Sequence, residues 1–335
     1  MARIEIPDGY KSVLDLRETQ IAIKSVKDFF QQILATELNL HRVTAPLFVD
    51  PNSGMNDNLN GVERPVSFDI GHDGKNLEIV HSLAKWKRYA LKKYGFHLYE
   101  GLYTDMNAIR RDEDIDNIHS IYVDQWDWEK IITKDDRNIK YFEDTVKKVY
   151  EAIRLTELHM SNLYSYIKCI LPEKIFFITS QELLDKYPEL TPKQREYEIT
   201  KLKGAVCIEQ IGGTLTNGEP HDNRAPDYDD WSLNGDILVY DPIIDTALEL
   251  SSMGIRVDED ALLKQLRESH CETRASLPFQ RAILEGLVPY TVGGGIGQSR
   301  ICMFFLRKAH IGEVQVSEWP QEILRYAIER DLKIL

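Results

Sequence analysis

Cysteine is scarce and scattered in this chain. Cys169, Cys207, Cys271 and Cys302 are the four in 335 residues, and no two form a C-x-x-C pair. That argues against a zinc site or a dithiol redox motif and fits thiols kept in a reducing compartment. Long apolar runs are missing, and none approaches the length of a membrane span. The first residues, Met1 to Asp8, hold no apolar signal core, so the expected location is cytoplasmic, with no membrane partner. Positive charge is in short supply. The chain has 41 basic against 54 acidic residues, a net charge of −13. A general nucleic-acid binder draws its affinity from neutralised phosphates, so nucleic acid is not an expected partner. No segment repeats and none is low in complexity. What is present is 43% hydrophobic residues over 335 positions, enough for one large domain or two ordinary ones.

The apolar spacing predicts a helix over about Val13 to Leu38, with Leu14, Ile21, Ile23, Val26, Phe29, Phe30, Ile33 and Leu34 as its apolar positions. Val43 to Val49 follows as a short strand interrupted by Pro46, which suits a sheet edge or a subunit boundary. Asn52 to Asn60 is a polar loop whose one acid is Asp57. Leu77 to Val80 is a strand, and Ser82 is placed to cap a helix over Leu83 to Tyr94 that ends at Gly95. Its Lys85, Lys87, Arg88, Lys92 and Lys93 read mostly as a solvated face. Strands are expected at Lys174–Thr179, Ala205–Ile208, Asp236–Tyr240 and Thr246–Leu250. Helices are expected at Ile139–Lys168, after a cap at Ser180, and at Pro192–Lys203, Glu259–Ser269 and Phe279–Glu285. Hairpin-like pairs recur without regular βαβ spacing. The fold class is therefore α+β, a mostly antiparallel sheet flanked by helices. One domain over 1–335 is expected, with an αβ insertion around 135–215.

Two stretches do not read as ordinary core. Residues 101–129 give two antiparallel strands joined by a charged loop. In the second, Tyr122, Asp124, Trp126 and Trp128 share one face, and Val123, Gln125, Asp127 and Glu129 share the other. Three polar groups at alternate positions, opposite two tryptophans that need burial, indicate a concave polar site. Near the other end, Gly293-Gly294-Gly295-Ile296-Gly297-Gln298-Ser299-Arg300 leads into the apolar run Ile301–Leu306. Its four glycines read either as a tight turn that permits close packing or as a floor on which a flat group lies, with Arg300 above it.

Three segments in order resemble the three motifs of class II aminoacyl-tRNA synthetases: the helix and strand with Pro46, Arg110 to Glu129, and Gly293 to Arg300. Ser82–Lys87, Gln125–Glu129, and Glu249 with Arg256 resemble the aspartyl enzyme. The strings HSLAKWKR, VDQWDWE, RAPDYDDW, ELSSMGIRVD and GGGIGQSR are similar to the ammonia-dependent asparagine synthetases of bacteria, the aspartate–ammonia ligases. The similarity runs from about Ser12 to Trp319. It implies the class II catalytic-core fold, a homodimer and no anticodon-binding domain. The substrates implied are L-aspartate, ammonia and ATP, joined through a β-aspartyl adenylate with release of AMP and pyrophosphate. The competing reading is a paralogue that passes an aspartyl adenylate to tRNA or another acceptor.

The resemblance also implies roles. Arg110 and Arg300, with Gly293, Gly294, Gly295 and Gly297, would hold ATP. Glu249 would bind Mg²⁺, with Asp236 either a second ligand or a plain strand-start acid. Asp127 and Gln125 would take the ammonium group of aspartate. Lys87 and Arg256 would take its α-carboxylate, with Ser82, Ser252 and Arg224 as further substrate contacts. Asp57 and Asp229 are both candidates for handling ammonia. Where synthetases usually place a phenylalanine against adenine, this chain has Val123.

Overall fold

The first amphipathic helix begins later than its apolar residues do. Asp15 caps the first helix, α1 (Leu16–Leu38), through a reciprocal pair with Glu18: the Glu18 amide donates to Asp15 at 2.8 Å and the Asp15 amide to Glu18 at 3.0 Å. The helix stops at Asn39, which takes the left-handed conformation at φ 58°. Its buried stripe is Ala22, Val26, Phe30, Leu34 and Leu38, four residues apart, so the expected core position Ile21 instead faces outward. The computed structural model describes residues 4–57, 59 and 63–335; Asn58 and Asn60 of the expected polar loop lie outside them.

The strands in chain order are β1 (Leu40–Arg42), β2 (Phe48–Val49), β3 (Ser67–Asp69), β4 (Asn76–Ile79), β5 (Gly101–Ile109), β6 (Tyr122–Ile131), β7 (Phe176–Thr179), β8 (Ala205–Glu209), β9 (Asp229–Asp241), β10 (Thr246–Arg256) and β11 (Thr291–Gly297). After α1 the helices are α2 (Ala84–Lys93), α3 (Ile139–Leu163), α4 (Ser180–Lys186), α5 (Pro192–Lys203), α6 (Glu259–Glu268), α7 (Pro278–Leu284), α8 (Gln298–Phe305) and α9 (Gln321–Glu329). Eight strands form one sheet in the order β1-β5-β6-β11-β10-β9-β8-β7, and β2-β4-β3 form a small second one. Only β1–β5 and β7–β8 are parallel, so the large sheet is mostly antiparallel, as the hairpin pattern predicted.

One face of the large sheet carries the main core. Trp126, Trp128, Val292, Ile296, Met253 and Ile255 pack there against α1, α3 and α8, with Phe30 and Trp126 at 4.7 Å between ring centroids. The opposite face is polar in the centre, beneath α2. A smaller apolar cluster of Val257, Leu262, Leu266, Phe279 and Ile283 holds α6 and α7 beside it. The 135–215 stretch places α3 in the main core and β7 and β8 at the far edge of the large sheet.

Several local expectations change. Of the Val43–Val49 strand only Phe48 and Val49 form one, as β2 of the small sheet; β1 ends before it at Arg42 as an edge strand of the large sheet, and Pro46 lies in the crossing between them. Ser82 is not the N-cap of α2, a position that falls on Leu83; its hydroxyl donates to Asp57 and accepts from the Ala84 amide at 3.4 Å. Thr179, not Ser180, caps α4 in a reciprocal pair with Glu182. Lys85, Lys87 and Arg88 are buried rather than solvated, each with oxygen acceptors. Phe30 seals the contact of α1 with the sheet, so Phe30→Ala should cost about 3–5 kcal/mol in a urea unfolding experiment, with retained helical circular dichroism.

Candidate active site

The glycine run is a strand, not a turn. Every residue of Thr291–Gly297 lies in β11, between β6 and β10. Register sets Gly293 opposite Glu129, Gly295 opposite Asp127, and Gly297 opposite Gln125. A methyl group on Gly293 would overlap the Glu129 carboxylate, and one on Gly295 would stand 2.6 Å from Gln125 Oε1. The glycines therefore leave room for the long polar side chains of β6 to lie across the sheet. Gly294 faces the other way, and a methyl there would meet Met253 Cβ at 2.6 Å.

What lies across the sheet is a buried lattice of charge. Arg256 at the end of β10 donates from Nε to Glu129 Oε1 at 3.0 Å and from Nη2 to Oε2 at 2.8 Å, and its Nη1 pairs with Asp229. Thr291 Oγ1 donates to Glu129 Oε1 at 2.6 Å. Lys87, from α2, donates to the Gly294 carbonyl at 2.9 Å and stands 3.3 Å from Asp127 and 3.9 Å from Glu129. Burial alone would raise the Glu129 pKa, but Arg256 and Lys87 hold it below the usual carboxylate value. Burial lowers the Lys87 pKa despite Asp127. Burial raises that of Asp229 against the pull of Arg256.

A cavity of about 390 Å³ opens above this lattice. Its wall includes Lys87, Gln125, Asp127, Arg256, Ser82, Asp57 and Asp229, together with Arg110, Arg300, Glu249, Ser252, Arg224, Gly294, Gly295 and Gly297. Two predicted residues are not on its wall: Gly293 lies under Glu129, and Asp236 is held by Arg224. Arg300, at the start of α8, lies against Gly297, donates to the Glu249 carbonyl at 3.0 Å and stands 3.8 Å from its carboxylate. Arg224 donates to Ser252 Oγ at 3.2 Å. Arg110 stands 3.9 Å from Glu113.

Glu249 and Ser252 could not share a face of a regular strand, being three residues apart. A register shift between Glu249 and Ser251 inserts one extra residue, and both reach the cavity. A spacing of seven between Glu249 and Arg256 is reconciled in the same way. Wall residues that the sequence reading did not name as ligand contacts include Tyr228, His119, Gln315 and Asp124. Asp124 had been grouped with the tryptophans by parity, yet it accepts from Lys27, Gln315 and the Ser299 amide at the start of α8. Glu129 was visible in the alternation, but nothing local announced its partner 127 residues away.

No group of three or more His, Cys, Asp or Glu side chains converges among the described residues. Mg²⁺ does not need one, since it keeps waters and phosphate oxygens and takes one or two carboxylates. Glu249 and Asp236 are near enough to feel each other's charge. Burial, and then Glu249, push Asp236 up to about 7 against Arg224, while Arg300 and Arg224 hold Glu249 below its ordinary value against burial. Two carboxylates that raise each other's cost of ionisation fit a hard cation with a phosphate beside it.

The fold is that of class II aminoacyl-tRNA synthetase catalytic cores. An asparaginyl-tRNA synthetase from Entamoeba histolytica superposes with a TM-score of 0.60 at 11% identity, over 90% of this chain and 66% of that one. The Pyrococcus horikoshii asparaginyl enzyme gives 0.60 at 15%, over 89% and 68%. Within that class the chain belongs to the aspartate–ammonia ligase family, whose model matches residues 17–331. Aspartate–ammonia ligases from Clostridium perfringens (strain 13 / Type A) and Clostridium tetani (strain Massachusetts / E88) are 62% and 60% identical, over 100% and 99% of this chain and 100% and 98% of theirs.

Because the lattice needs the space above β11, Gly293→Ala should displace Glu129 and with it Arg256. The expected loss in kcat/KM is about 100-fold with an unchanged circular dichroism spectrum; near-normal activity would mean that the close approach is dispensable.

Proposed function

We propose that this chain makes L-asparagine from L-aspartate and ammonia, using ATP and releasing AMP and pyrophosphate through a β-aspartyl adenylate. The observation that carries the reading is that one cavity holds both kinds of group: Arg110 and Arg300, cations suited to phosphates, and Lys87, Arg256 and Asp127, a set suited to an α-amino acid.

Aspartate sits with its ammonium on Asp127, beside Gln125, and its α-carboxylate on Lys87 and Arg256. Its β-carboxylate then points along the cavity toward the α-phosphate. Two anions must meet, and Arg110 and Arg300 offset the repulsion and the charge that develops on the phosphoryl oxygens. A β-carboxylate oxygen bonds to the α-phosphorus as the bond to pyrophosphate breaks. Glu249, with Asp236 beside it, is suited to hold Mg²⁺, which when bound supplies further positive charge to the phosphates. Ammonia then attacks the β-carbonyl carbon, and AMP leaves.

At neutral pH the nitrogen arrives largely as ammonium, so a carboxylate must bind the cation and accept its proton. Asp57 is better suited than Asp229. Asp229 is neutralised by Arg256, whereas Asp57 has no ion pair among the described residues and accepts from Ser82 Oγ at 2.7 Å and the Leu59 amide at 2.9 Å. Tyr228 lies close enough to both acids that their charges, after burial, push its phenol well above its ordinary pKa, so it stays a neutral wall. We read the protein as a cytoplasmic homodimer without a nucleic-acid partner; the open edge of β1, at the rim of the large sheet, supports an interface there.

Incubation with aspartate, ammonia and ATP should yield AMP, pyrophosphate and asparagine in equal amounts; ADP would refute the adenylate. Asp57→Asn should lower asparagine formation at least ~100-fold relative to aspartate-dependent pyrophosphate exchange. Asp229→Asn should impair both, because it frees Arg256. If Asp236 holds the metal with Glu249, protonation near pH 7 weakens the site. Lowering the pH from 8 to 6 should then raise the half-saturating Mg²⁺ concentration about tenfold, and Asp236→Asn should remove that dependence.

A further inference from the structure

Asp57 and the preceding Met55 and Asn56 lie in no helix or strand. A carboxylate that must meet a small, freely diffusing nucleophile cannot rely on that nucleophile to position it. Its placement has to come from the protein. Resting on the reading of Asp57 as the group that handles ammonia, we propose that Asn56 and His81 are positioning residues for Asp57, forming a clamp that fixes it in the frame that carries Lys87.

The clamp is built from side chain to backbone. Asn56 Oδ1 accepts from the His81 amide at 2.9 Å and from the Asp57 amide at 3.0 Å. Asn56 Nδ2 donates to Glu78 Oε2 at 3.2 Å and to the Ile79 carbonyl at 3.4 Å, both on β4. The His81 ring returns the contact, with Nδ1 at 3.1 Å from the Asp57 carbonyl. A carbonyl only accepts, so Nδ1 carries the proton. The Asp57 backbone is thus held at its amide end through Asn56 and at its carbonyl end through His81. The carboxylate is fixed separately, by Ser82 Oγ on Oδ2 and the Leu59 amide on Oδ1. Each oxygen has a second lone pair, and the side chain lines the cavity.

Burial makes these contacts count. Asn56 is 9% exposed, Asp57 3% and His81 1%, so water does not replace a lost partner cheaply. The route from clamp to site is short. His81 and Ser82 follow β4 after Val80 and lead into α2, which carries Lys87 to the Gly294 carbonyl. The proposed ammonia carboxylate and the proposed aspartate lysine are therefore set by a single connection of a few residues. His81 itself is not on the cavity wall, so its influence runs through Asp57. Loss of the clamp should let Asp57 drift while leaving the phosphate end untouched, and displacement of about 1 Å is enough to cost a large factor in rate.

The test measures, for each variant, the ratio of asparagine formation to aspartate-dependent pyrophosphate exchange, with the KM for ammonia. His81→Leu and Asn56→Ala should each lower that ratio about tenfold or more. His81→Asn, whose amide can donate from the place of Nδ1, should recover most of it. A proportional fall in both activities, no fall in either, or no difference between His81→Asn and His81→Leu would overturn the clamp. Should His81→Leu fail to fold, Asn56→Ala, which removes only a loop side chain, decides the matter. Asp57→Asn in parallel separates the two levels. An unchanged ratio there overturns the role of Asp57 itself, whereas a lowered ratio there with normal clamp variants overturns only the clamp.

Discussion

The pairing of Arg256 with Glu129 is the constraint on which the rest of the site depends. Both groups are buried, and a buried charge that loses its partner costs about 3–5 kcal/mol. Each is satisfied from more than one direction. Glu129 accepts from Arg256 and Thr291, and Arg256 also meets Asp229. Behind Arg256, Arg137 donates to its carbonyl and binds Asp258 and Asp230. Such a pair is weak evidence of stability but strong evidence of placement, since its geometry leaves few alternatives. It also dictates sequence elsewhere: residue 293 must be glycine for Glu129 to lie where it does.

From that pair the chemistry divides by charge. The protein as a whole is acidic, at −13, yet Lys87, Arg110, Arg224, Arg256 and Arg300 converge on one cavity. Acids share its wall, among them Asp57, Asp127, Asp229 and Glu249, so the cavity offers charges of both signs, as an amino acid and a metal-bound phosphate require. Arg256, Lys87 and Arg224 are already engaged by Asp229, Asp127 and Asp236, which keeps the cations oriented before a ligand arrives. Arg110 and Arg300 have looser anionic neighbours, Glu113 at 3.9 Å and Glu249 at 3.8 Å.

Much of this was legible where chemistry and local period coincide. The alternation of Gln125, Asp127 and Glu129 opposite two tryptophans placed a polar site on one face of a strand, and that face is the cavity floor. The mostly antiparallel sheet followed from recurring hairpins. What stayed hidden depends on partners distant in sequence or on irregular backbone. The basic helix looked solvated because its composition is that of a surface, but Lys85 meets Asp227, Lys87 meets Asp127, and Arg88 meets the Pro289 and Val257 carbonyls. The extra residue after Glu249 has no sequence signature, although it decides which side chains reach the cavity. The glycines read equally as a turn, since only their neighbours across the sheet reveal why a side chain is excluded.

In the proposed reading this charge lattice fixes aspartate with its α-carboxylate inward, so that the β-carboxylate is the one activated. A crystal structure with L-asparagine and AMP bound decides this orientation. The α-carboxylate is expected on Lys87 and Arg256, the ammonium on Asp127, and the amide nitrogen within hydrogen-bond reach of Asp57. An amide end seated on Lys87 and Arg256, with the α-carboxylate turned toward AMP, would contradict it.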